Sequence, residues 1–257
     1  MKIAISGKGG VGKTTISASL IKTIANKGYQ VYAVDADPDV SLGTTLGLSE
    51  QLLERLVPLV EMKDVIAEKS GGGGAFFSFN PGVDDVLDRF AVRSGNIKFL
   101  RMGGVKQGGS ACYCRENSFL NAVLNALLLQ DKEIVVLDMG AGIEHLTRGT
   151  AQGVDMMLIV TEPTKVSVNT AKVIKHLALE IGVPKLFIVG NKVRNGKEKQ
   201  FIEKAFSPDE VIGVIPLSET VLDQAMGGEA TSTDDSPLLE VDDIFNQILR
   251  EAGEETN

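Results

Sequence analysis

The chain has 257 residues, 43% of them hydrophobic, with a mean hydropathy near zero, a net charge of −8 and an isoelectric point near 4.9. That length suits one sizeable α/β domain over residues 1–257, with enough apolar residues to bury a continuous core. The acidic balance argues against the broad basic surface that collects nucleic-acid phosphates, and no apolar run approaches the roughly 18–20 residues that span a bilayer. The expectation is a cytoplasmic protein with neither nucleic acid nor membrane as partner.

Short Val- and Ile-rich runs alternate with longer segments of helical period, the pattern of a doubly wound, mostly parallel sheet covered on both faces. In chain order the strands are expected at Lys2–Ser6, Gln30–Asp35, Ile97–Met102, Ile134–Asp138, Met156–Thr161, Leu186–Gly190 and Val211–Ile215. Helices are expected at Lys13–Asn26, Asn117–Leu129, Val166–Ile181, Lys197–Ala205 and Leu238–Ala252. The stretch 48–95 fits this alternation least, with its glycine run Gly71–Gly74 and the turn-forming Asn80-Pro81-Gly82, and reads as an insertion. Gly103-Gly104 and Gly108-Gly109 bound a second glycine-rich stretch, either a moving element or an ordinary surface loop.

Gly7-Lys8-Gly9-Gly10-Val11-Gly12-Lys13-Thr14-Thr15 follows the first strand and opens the first helix, the context that makes a Walker A pattern a phosphate site. The glycines let backbone N–H groups converge on a β-phosphate, and the helix N-terminus adds its positive dipole end. Lys13 is placed to neutralise β and γ oxygens, and the Thr14 hydroxyl to ligate Mg²⁺. The extra lysine, Lys8, makes the chain resemble the deviant Walker A ATPases, which include MinD, ParA, nitrogenase iron protein and the nickel-insertion ATPases. The resemblance covers nearly the whole chain and implies a single P-loop NTPase domain that binds ATP or ADP and hydrolyses ATP as a homodimer. It further implies that Lys8 reaches across the dimer to the partner's phosphates, as an arginine finger does.

The second strand ends in Asp35-Ala36-Asp37-Pro38-Asp39, where the family has its first switch. The resemblance puts Asp37 beside the attacking water or the magnesium shell, with Asp35 and Asp39 as runners-up; carboxylates at a strand end also cap turns. Asp138-Met139-Gly140-Ala141-Gly142 closes an apolar strand as a Walker B and second switch do, so Asp138 is expected to hold Mg²⁺ through water, with the Gly140–Gly142 region sensing the γ-phosphate. Asn191 resembles the family's adenine-contacting asparagine, and Ile215-Pro216-Leu217 its adenine-side loop, with Pro216 at its centre. An asparagine after a strand is also a common turn former.

The chain's two cysteines, Cys112 and Cys114, stand two positions apart, which is no framework for stapling a secreted fold. One Cys-x-Cys supplies two thiolates, and a two-fold axis pairing it with a second copy would complete a four-sulfur site between subunits; the alternative is a buried or redox-active thiol pair with no metal. Tetrahedral sulfur suits zinc or an iron–sulfur cluster, and square-planar sulfur suits Ni²⁺. The segment Ser110-Ala111-Cys112-Tyr113-Cys114-Arg115-Glu116-Asn117 resembles that of CooC-type ATPases, which support nickel insertion into carbon monoxide dehydrogenase, and of related acetyl-CoA synthase maturation factors. It implies Ni²⁺, or Zn²⁺ at the same site, and a nickel enzyme as client. The alternatives are a positioning or regulatory ATPase of the MinD/ParA type and an ATP-dependent iron–sulfur scaffold. The acidic C-terminal segment lacks the basic and bulky apolar residues of a membrane-targeting helix. His145 and His176 are not expected to be ligands.

Overall fold

The computed structural model describes residues 1–37, 41–62, 64–65, 90–103, 133–140, 154–225 and 239–253. Eight strands among them form one sheet: β1 (Lys2–Gly7), β2 (Gln30–Ala36), β3 (Val92–Ser94), β4 (Ile97–Arg101), β5 (Glu133–Met139), β6 (Met156–Thr161), β7 (Leu186–Val193) and β8 (Val211–Pro216). Their order is β3-β4-β2-β5-β1-β6-β7-β8, parallel throughout except for β3, which pairs antiparallel with β4 at the edge. The helices are α1 (Lys13–Asn26), α2 (Leu42–Thr45), α3 (Glu50–Glu54), α4 (Lys165–Glu180), α5 (Gly196–Glu203), α6 (Glu219–Ala225) and α7 (Leu239–Ala252), with a 3₁₀ turn at Leu59–Glu61.

Strand alternation divides the core into two layers, because successive side chains of a strand point to opposite faces. On one face Ile3, Ile5, Val31, Ala33, Ile134, Val136, Leu158 and Val160 meet Ile16, Leu20, Ile21 and Ile24 of α1 and Val241, Ile244, Phe245, Ile248 and Leu249 of α7. On the other, Ala4, Val34, Val135, Leu137, Met157 and Ile159 meet Ala171, Ile174 and Ala178 of α4 and Ile202 of α5. Burial on both faces explains why these strands read as continuous apolar runs. Those five side chains of α7 are buried here, while Leu239 at its start is exposed, and a Cβ on Gly213 of β8 would stand 2.4 Å from Ile244.

The described residues carry elements that the sequence expectation lacked, among them α2 and α6. The β3 strand was not anticipated. Within 48–95 the described residues carry α3, which contacts α2, the 3₁₀ turn with Leu59 fully buried, and β3 at the sheet edge; residues 63 and 66–89 lie outside the described residues. Strand β7 runs past Gly190 to Val193, with a register irregularity against β8. The expected helix Asn117–Leu129 lies outside the described residues.

Both described chain ends lie at the N-terminal edge of the sheet, where Met1, Asp155, Pro184, Lys185 and Ala252 line one depression, and the Lys185 ammonium donates to the Glu251 carbonyl.

Candidate functional site

At the opposite edge, the carboxyl ends of β1, β2, β7 and β8 open into a cleft of about 430 Å³. Its walls include Gly9, Gly10, Gly12, Lys13, Thr14, Thr15, Asp37, Ser41, Asn191 and Lys192, with Ile215, Pro216, Leu217 and Val221 forming an apolar side. Nine of the residues singled out from the sequence thus meet in one cavity: six of the glycine-rich loop and its helix start, together with Asp37, Asn191 and Pro216. Gly7, Lys8, Val11 and Asp138 support it from outside the lining.

The loop between β1 and α1 is shaped by glycine where nothing else fits. Gly7 has φ 156°, and a Cβ there would stand 2.4 Å from the Val160 carbonyl oxygen; Gly12 has φ 93°, and a Cβ there would meet the Asn191 amide at 2.4 Å. The Thr164 and Asn195 side chains cap the N-termini of α4 and α5, but no side chain caps α1. Its first N–H groups and dipole end are therefore directed at the cleft, the arrangement that binds an anionic phosphate.

The end of β7 ties this loop down. The Asn191 amide donates to the Val11 carbonyl at 2.7 Å, and the Lys192 ammonium donates to the Gly10 carbonyl at 2.5 Å. Asn191 sits within the strand, not in a turn after it, and Lys192 adopts φ 57°, unusual for a residue with a side chain. Lys13 is 7% exposed, and its ammonium approaches the Lys8 carbonyl at 3.5 Å. The Lys8 side chain itself is half-buried and makes no hydrogen bond or ion pair among the described residues.

Beneath the cleft one rung of the sheet is charged. Strand register aligns Arg101 of β4, Asp35 of β2, Asp138 of β5 and Ile5 of β1, so the two carboxylates stand side by side on the face covered by α1. Burial and then the neighbouring Asp138 push Asp35 from an ordinary 3.8 up to about 6, against the backbone N–H groups of Leu42 and Asp37 and the Arg101 guanidinium, which pull it down. Burial also raises Asp138, opposed by the hydroxyls of Thr14 and Ser17. Ser17 donates to Asp138 Oδ1 at 2.8 Å, while Oδ2 is buried and accepts no hydrogen bond among the described residues.

Asp35 and Asp37 have separate fates. Asp35 is 1% exposed and accepts from the Asp37 and Leu42 backbone N–H groups at 3.3 Å each, so it shapes the turn after β2, whereas Asp37 faces the cleft. Asp39 lies outside the described residues, as do Cys112, Cys114, Ala141, Gly142 and His145. His176 is exposed on α4 and pairs with Glu180 at 3.2 Å. Sequence reasoning missed Ser17 and Ser41. Ser41 donates weakly to the Thr14 hydroxyl at 3.4 Å, and both approach the pocket as single serines without a motif. The orphaned Asp138 oxygen, the Thr14 hydroxyl and the Asp37 carboxylate form an all-oxygen donor set, which fits Mg²⁺ held largely through its own waters.

Uncapped helix, glycine-shaped loop, buried lysine and acidic strand ends together define a P-loop nucleotide site, and the chain belongs to the CobQ/CobB/MinD/ParA nucleotide binding domain family, which matches residues 2–231. It is an ATPase domain of that family. It is 38% identical over 224 residues to the carbon monoxide dehydrogenase accessory protein CooC of Rhodospirillum rubrum, covering 86% of this chain and 85% of that one. It is 40% identical to an uncharacterized ATP-binding protein of Methanocaldococcus jannaschii, over 97% of this chain and 98% of that one. Among solved structures it resembles MinD of Pyrococcus horikoshii complexed with Mg-ADP, at a TM-score of 0.68 and 19% identity, covering 98% of this chain and 97% of that one. That last likeness is one of fold. No helix among the described residues is long and apolar enough to cross a membrane.

Proposed function

We propose that this chain is a homodimeric, cytoplasmic, ATP-driven metallochaperone that holds Ni²⁺ between subunits on Cys112 and Cys114 and supports nickel insertion into carbon monoxide dehydrogenase or a related nickel enzyme. The observation that carries this reading is one chain holding both the nucleotide cleft and the Cys-x-Cys pair, with 38% identity to a carbon monoxide dehydrogenase accessory protein. In this reading the phosphates of ATP lie on the N–H groups of Gly9–Thr15, Lys13 neutralises the β and γ oxygens, and the base lies along Asn191 and Pro216. Thr14 and, through water, Asp138 would hold Mg²⁺, which would supply charge neutralisation at the phosphates. Asp37 orients the attacking water, and Lys8 reaches the partner's γ-phosphate, so neither subunit hydrolyses ATP alone. Zn²⁺ is the competing occupant of the thiolate site.

ATP and metal both favour the closed dimer, so each raises the other's affinity by the same factor. Hydrolysis then weakens closure and releases metal to the client. A surface-positioning ATPase gains no support from α7, whose Val241, Ile244, Phe245, Ile248 and Leu249 are buried against the sheet.

The test is Ni²⁺ and Zn²⁺ binding to the reduced, anaerobic protein with ATP, with ADP and without nucleotide, alongside its mass in solution. The Cys112→Ala/Cys114→Ala variant is the comparison. About one metal per dimer that requires both cysteines and shifts with nucleotide supports the reading. Binding equal to the double variant in every state removes nickel insertion.

A further inference from the structure

Asp138 projects onto the α1 face of the sheet, and α1 carries Ser17 about one helical turn beyond Lys13 and Thr14. Three of these α1 residues therefore address one carboxyl group from the same side. Lys13 and Thr14 also line the cleft; Ser17 does not. It is fully buried, and its hydroxyl donates at 2.8 Å to Asp138 Oδ1. A small hydroxyl in an apolar helix face, among Ile16, Leu20 and Ile21, has no packing reason to be there, since alanine fills nearly the same space and favours the helix more.

We propose that Ser17 is the positioning residue of the magnesium site: by occupying Oδ1 it fixes the rotation of the Asp138 carboxylate and leaves Oδ2 as the oxygen that accepts from a metal-bound water. This deepens the ATPase reading and rests on it. Buried Oδ2 has no partner among the described residues, an arrangement that is costly unless a donor arrives, and a water in the Mg²⁺ shell is such a donor. Without Ser17 the carboxylate is left to the Thr14 hydroxyl, which already acts on it, and to the Lys13 ammonium, and both of those are themselves needed at the phosphates. Ser17 touches neither nucleotide nor metal. Its effect passes through Asp138 alone, as an outer-sphere hydrogen bond orients an inner ligand.

The experiment uses the full chain as wild type, Ser17→Ala and Ser17→Thr, with a fluorescent ADP analogue. ADP affinity is measured in EDTA, and the Mg²⁺ midpoint is then read by titrating the metal into the ADP-loaded protein. Ser17→Ala is expected to bind ADP in EDTA within about twofold of wild type and to raise the Mg²⁺ midpoint about ten- to a hundredfold. Ser17→Thr, which restores the hydroxyl, is expected to recover most of that loss. An unchanged midpoint in Ser17→Ala overturns the proposal, and so does an equal loss of ADP affinity with and without metal, the mark of a structural role. Thermal stabilisation by ADP with and without Mg²⁺ reads the same split on any variant of reduced yield. Failure of the ATPase reading looks different: wild type itself would bind no ADP or show no response to Mg²⁺.

Discussion

Replacing Asp35 by asparagine isolates the energetic cost of the charged rung. In the unfolded chain this carboxyl titrates near 3.8, whereas in the fold burial and Asp138 raise it to about 6. Between those values the native state keeps a proton that the unfolded state has released, so stability from this group is present below about pH 4 and is lost as pH rises through about 6. The rise from 3.8 to about 6 corresponds to up to about 3 kcal/mol, a large share of a domain's stability. Asparagine does not titrate, and the hydrogen bond it forfeits at the Asp37 or Leu42 N–H costs about the same at every pH. The wild-type-minus-Asp35→Asn difference in unfolding free energy, from urea titrations in EDTA at several pH values, should therefore move against wild type by up to about 3 kcal/mol between pH 4 and pH 7. A difference that stays flat over that range refutes the placement of Asp35 as a buried acid beside a second acid.

Two further substitutions probe the loop. Lys8→Ala is expected to abolish hydrolysis while leaving nucleotide binding largely intact, because Lys13 remains; equal loss in turnover and in binding assays would remove the role across the dimer. Gly12→Ala combines φ 93° with a Cβ 2.4 Å from the Asn191 amide, so it should cost nucleotide affinity at least tenfold by calorimetry while the circular dichroism spectrum is kept.

The parts of this molecule that were readable from sequence are those whose cause is local. The Walker A loop, α1 and the acid closing β5 each announce themselves within a dozen residues, through glycine spacing, 3.6 periodicity and a Val-rich run. Strand β3 announces nothing: it has three residues, two of them exposed, and exists because β4 leaves an open edge. The division of labour between Asp35 and Asp37 was likewise hidden: alternation alone would put both on one face, but β2 ends at Ala36, and only the pairing with β5 says that Asp35 is the one buried beside Asp138. Lys192 gave no warning of its positive φ, which follows from the irregular pairing of β7 with β8. Ser17 was visible only as one more serine in a helix until its partner, 121 positions away, came into view.

The meeting of Met1 and Ala252 in one depression has a practical side. Strand β1 separates that depression from the phosphate loop by its six residues, about 20 Å of extended chain. A surface-plasmon sensor or a resin coupled through a residue of this depression, such as Lys185, would therefore leave the cleft facing the flow. Nucleotide and metal could then be exchanged over one captured sample, and the proposed reciprocity of their binding tested in both directions without a change of protein.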